Sequence, residues 1–81
     1  MSKFLKLSAS WCAPCKQMDA QIARLNFPVD IEHIDIDTRR DVAIKYNVRS
    51  IPTLIMLDDN GDVLKQSSGS LTDAKLVEFF S

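Results

Sequence analysis

Apolar and polar positions along the chain fall into short blocks whose periods change repeatedly. Phe4-Leu5-Lys6-Leu7 is a compact apolar run with one charge in it, which predicts a short strand. Ser8-Ala9-Ser10 then offers a turn and helix-capping hydroxyls ahead of Trp11, and a helix is expected from near Cys12. Pro14 suits the first helical turn, where its missing N–H costs nothing. Met18, Ile22 and Leu25 recur at spacings of four and three, an inward stripe, and Pro28 marks the helix end.

Residues 29–36 predict a second strand: Val29, Ile31, Ile34 and Ile36 alternate imperfectly with Asp30, Glu32, His33 and Asp35. Thr38 and Asp41 resemble a capping pair for a short helix carrying Val42, Ala43 and Tyr46 and ending near Asn47. Thr53-Leu54-Ile55-Met56-Leu57 is the most continuous apolar run, expected of a strand buried on both faces. Asn60-Gly61 is a hairpin signal that returns the chain as an antiparallel strand over residues 62–66. Ser67-Ser68-Gly69-Ser70 is expected to break that strand. A last helix over 71–80 is expected to face inward with Leu71, Ala74 with Lys75, Val77 and Phe80; of Phe79 and Phe80, one should be core and the other partly covered.

The resulting order, β-α-β-α-β-β-α, implies an α/β fold: a four-stranded mixed sheet with helices on its faces. No repeat, linker or low-complexity tract divides the chain, so residues 1–81 are read as one domain.

Composition narrows the function. Ten Lys plus Arg against eleven Asp plus Glu give a formal net charge of −1, and the basic residues are scattered apart from Arg39-Arg40. That pattern offers no electrostatic footprint for nucleic acid or an anionic membrane. No apolar run approaches the roughly 20 residues that span a bilayer, and the first residues lack a leader pattern, so a cytosolic address is expected. The chain is also expected to be a monomer. Asp35, Asp37, Asp58, Asp59 and Asp62 do not have calcium-loop spacing, the last three being compressed into a hairpin turn, and they are read as solvated turn residues. His33 is read as a structural or surface histidine.

Chemistry concentrates in Trp11-Cys12-Ala13-Pro14-Cys15-Lys16. Two cysteines so close cannot staple distant elements, which leaves a local structural disulfide, half of a zinc site or a redox dithiol. A closed zinc site wants four ligands and the chain holds one histidine, His33, so the redox reading leads and no metal is expected. At a helix start, N–H groups and the dipole favour thiolate at Cys12, the expected nucleophile; Cys15, nearly one turn on, is the expected resolving thiol.

These residues, together with Val48-Arg49-Ser50-Ile51-Pro52-Thr53 before a buried strand and glycines at Gly61 and Gly69, resemble the thioredoxin family over nearly the whole chain. The resemblance implies a minimal thioredoxin-like fold and a cis peptide at Ile51-Pro52 opposite the dithiol. It also implies an extended substrate pairing beside Cys12, against Trp11, Ala13, Pro14, Ile51 and Pro52. The implied activity is reduction of protein disulfides with no cofactor beyond the redox-active disulfide, and thioredoxin reductase or a small thiol is the implied electron source.

The chain departs from the family's pattern in three ways. The extra strand and helix that thioredoxins carry ahead of the first strand are not in this sequence, which is glutaredoxin-sized. A glutathione-dependent, glutaredoxin-like reductase is therefore one alternative, although Ala13-Pro14 and Ser68-Gly69-Ser70 differ from the segments typical of that family. Six positions before Cys12, where the family commonly buries an acid, stands Lys6, and His33 takes the place of a family lysine. Lys6 either tunes or deprotonates Cys15, or it snorkels to water as most lysines do. A different class remains as well: a thioredoxin-like subunit of a larger complex, its dithiol dispensable.

Overall fold

The computed structural model describes residues 2–81. Four strands, β1 (Lys3–Ser8), β2 (Ile31–Asp35), β3 (Thr53–Leu57) and β4 (Val63–Ser68), alternate with α1 (Ala13–Leu25), α2 (Arg40–Lys45) and α3 (Asp73–Phe80), in the expected order. The sheet runs β2-β1-β3-β4, with β1 parallel to β2 and antiparallel to β3, and β3 antiparallel to β4. Among the described residues no helix is long and apolar enough to cross a membrane.

Strand alternation sorts the core into two layers. Phe4 and Leu54 face α1 and α3, where they meet Met18, Leu76, Phe79 and Phe80. Leu5, Leu7, Ile55 and Leu57 face the other way, towards Val42 of α2. β1 lies between two neighbours and under helices on both sides, so its side chains from Phe4 to Leu7 are all buried, Lys6 among them.

Several boundaries differ from the sequence reading. α1 stops at Asn26, before Pro28: Asn26 takes the left-handed conformation at φ 54° and its N–H closes on Ile22 O at 2.9 Å. β2 is shorter than residues 29–36 because Val29 packs against the α1–α3 layer from outside the strand. Thr38 does not cap α2; its hydroxyl donates to Asp35 O at 3.2 Å, and Arg39, at the cap position, makes no side-chain capping bond. Ser67 and Ser68 do not break β4, which pairs them with Leu54 and Thr53, and the chain turns only at Gly69, φ 91°.

The last helix is displaced in phase. Thr72 caps it by accepting from Lys75 N, and from that start the inward residues are Leu76, Phe79 and Phe80. Val77, 47% exposed, Ala74 and Lys75 point outward, and Leu71 packs from the loop. Both terminal phenylalanines are core, Phe80 sitting edge-on to Phe4 at 4.8 Å between ring centroids.

Candidate active site

The chain leaves β1 at the sheet's carboxyl end, turns through Ala9 (Cys12 N–H to Ala9 O, 3.1 Å) and enters α1 at Cys12. Cys12 is itself the N-cap: its Sγ accepts the Cys15 N–H at 3.2 Å, the bond a serine or aspartate makes in other helices. Cys12 and Cys15 are joined as a disulfide, with Cα atoms 5.3 Å apart. Both are buried beside Ala9, with Ile36 and Ile51 packed against them, Cys15 at 1% exposure and Cys12 at 5%, the outer of the two.

Around the pair stand the other residues singled out from sequence. Ala13 and Pro14 are exposed on the first turn, Ile51 is half-buried against the cysteine cluster, and Pro52 is fully buried. The Ile51–Pro52 peptide is cis. Its loop is held on two sides: the Thr53 hydroxyl donates to Ser50 O at 2.6 Å and the Gly69 N–H donates to Pro52 O at 2.8 Å. Trp11 is 67% exposed and walls a hollow of about 300 Å³ with Ile36, Ala43, Val48, Arg49, Ser50 and Ile51. Its indole N–H donates to Asp37 Oδ2 at 2.9 Å, which fixes the ring beside the disulfide.

Lys6 does not snorkel. Its side chain is 0% exposed, with Nζ 2.8 Å from Asp19 Oδ1 on α1. His33 is a surface histidine, 54% exposed in its side chain, and its Nδ1 lies 3.6 Å from the same Asp19 oxygen. Asp19 and Asp37 are the residues that sequence reasoning missed. Asp19 carried one signal, an acid one turn after Cys15 on the helix that covers Lys6; Asp37 carried none, its bond spanning 26 positions. Among the described residues no group of three or more His, Cys, Asp or Glu side chains could hold a metal ion.

A cysteine pair closed at the start of a helix, over the carboxyl end of a mixed four-stranded sheet and beside a cis-proline loop, defines the class: a thiol–disulfide exchange site on a thioredoxin-like fold. Comparison with known proteins agrees. The family model described as thioredoxin matches residues 2–81, and the chain belongs to the thioredoxin family. It is 39% identical over 75 residues to thioredoxin C-2 of Corynebacterium nephridii, covering 88% of this chain and 68% of that protein. It is 33% identical over 75 residues to the mitochondrial thioredoxin of Mus musculus, covering 88% of this chain but 45% of that one, so it spans less than half the length of that relative. Among solved structures, Fasciola hepatica thioredoxin superposes with a TM-score of 0.86 at 28% identity, covering 98% of this chain and 77% of that one. The oxidised mitochondrial thioredoxin 3 of Saccharomyces cerevisiae gives 0.84 at 26% identity, covering 98% and 76%. Members of this family are thiol–disulfide oxidoreductases that work through their own cysteine pair without a cofactor, and this chain carries that pair.

Proposed function

We propose that the chain reduces protein disulfides, with Cys12 as nucleophile and Cys15 as resolving thiol. The observation that carries the assignment is the cap: Cys12 Sγ receives the Cys15 N–H at the positive end of α1, which favours its thiolate, while Cys15 lies deeper and one turn behind. In the reduced protein, Cys12 thiolate attacks a substrate disulfide, forming a mixed disulfide and expelling one substrate thiolate. Cys15 then attacks Cys12 Sγ, closing the pair and releasing the second substrate sulfur, so two electrons pass to the substrate.

Trp11, Ala13, Pro14 and Ile51 form the face on which an extended substrate segment lies, and Pro52, buried beneath, shapes that face from below. Thioredoxin reductase, or a small thiol, returns the electrons. In an insulin-reduction assay, Cys12→Ser is expected to abolish turnover and Cys15→Ser to accumulate a mixed disulfide through Cys12. Wild-type turnover by Cys12→Ser would overturn the assignment. Turnover supported by glutathione with glutathione reductase, but not by thioredoxin reductase with NADPH, would replace it with the glutaredoxin-like reading.

A further inference from the structure

Among the described residues the most deeply buried charge, on Lys6, lies on the sheet face that α1 covers. Lys6 is fully enclosed, and an ammonium in that position needs a counter-charge. Asp19 supplies it at 2.8 Å, although Nζ has no aligned hydrogen bond, so the contact is electrostatic. Lys6 and His33 are register partners across β1 and β2, which puts both on the face that α1 covers, and both converge on Asp19 Oδ1. Asp19 follows Cys15 by four residues on α1, a separation that brings Cβ atoms to about 5–6 Å, and helical side chains lean towards the preceding turn. One oxygen of this carboxylate is held by lysine while its side chain stays half open to water, and the four-residue spacing sets it on the same stretch of helix surface as the buried Cys15, one turn on.

We propose that Asp19 is the base that accepts the Cys15 proton in the resolving step, with Lys6 as the residue that positions it and His33 as the group that passes the proton to solvent. The inference rests on the roles proposed above for Cys12 and Cys15. The Cys15 S–H proton moves to the Asp19 carboxylate, directly or through one water. The freed sulfur pair attacks Cys12 Sγ, the Cys12–Cys15 bond forms, the bond from Cys12 to the substrate sulfur breaks, and the substrate leaves as thiolate, which takes a proton from water. Asp19 then loses its proton by way of His33, so no further oxidant or reductant is needed. The charged groups facing Asp19 are Lys6 from β1 and His33 from β2; the carboxylate that α3 turns to α1, Asp73, is engaged by Gln21 and Arg24.

The test follows the reduced protein reacting with Ellman's reagent, in which Cys12 attack and Cys15 resolution each release one coloured thiolate in separate phases. Asp19→Asn is expected to leave the first phase unchanged and to slow the second on the order of a hundredfold near pH 7. The deficit should close towards pH 9, as the thiol, ordinarily near 8.5, ionises without help. Asp19→Glu should recover most of the rate. Because Asp19→Asn strands a buried ammonium, the Lys6→Met/Asp19→Asn pair, which buries no charge, must show the same slow, pH-steep second phase. A second phase of wild-type rate and pH profile in either variant overturns the proposal. An absent first phase in the wild type, or its survival in Cys12→Ser, would instead overturn the cysteine roles.

Discussion

At the scale of single residues, the site depends on groups whose partners are distant in sequence. Trp11 was legible as an exposed contact residue because it flanks the nucleophile, but an exposed indole is useful only if it is held. Asp37 does this with a 2.9 Å bond to the ring N–H. If Trp11 belongs to the proposed substrate face, Asp37→Ala is expected to raise KM for a protein disulfide several-fold while leaving the reaction with a small disulfide unchanged, because only the larger substrate would reach that wall. Equal effects on both substrates would assign Asp37 to the fold instead. Lys6 shows why the rest was hidden: snorkelling is the common fate of lysine, and only the central place of β1, enclosed on both faces, denies it a route to water.

At the scale of elements, strand and helix order followed from period and punctuation, whereas phase and ends followed from caps. The clearest case is α3, where Thr72 sets the first turn and so selects Leu76, Phe79 and Phe80 over Val77. Asp73, the first residue of that helix, is joined to α1 by Gln21 Nε2 at 2.9 Å and Arg24 at 2.7 Å. The Gln21 bond first, and then the Arg24 bond, hold the Asp73 carboxyl below the usual carboxylate range. A group of this sign adds stability above its unfolded pKa, near 3.9, and loses it as pH falls through the lower folded value. Urea midpoints measured from pH 6 downwards are expected to fall more steeply on acidification for wild type than for Asp73→Asn; parallel curves would remove Asp73 from the acid response. At the turn from β4, Gly69 holds φ 91° while its N–H braces Pro52, with open space where a Cβ would stand. Gly69→Ala should therefore cost about 1–2 kcal/mol from backbone strain alone, read as a lowered thermal midpoint.

At the scale of the whole molecule, the working cycle demands that the chain survive the loss of its own disulfide. A domain of this size has an expected stability of about 4–12 kcal/mol, and a bridge closing so short a loop contributes about 2 kcal/mol or less through chain entropy. The larger share lies in the two layers that β1 and β3 separate, where Leu54 is fully buried among Phe4, Met18 and Leu76. Leu54→Ala is expected to cost about 2–5 kcal/mol. Reduction, or the Cys12→Ser/Cys15→Ser pair, should accordingly lower the thermal midpoint less than Leu54→Ala does and leave the cooperative transition intact. A reduced protein that unfolds at ambient temperature would mean that the disulfide is a staple, the structural alternative left open by the spacing of the two cysteines. That outcome would also remove the basis for a reductase, because a chain that needs its bridge to fold cannot release it to a substrate and return.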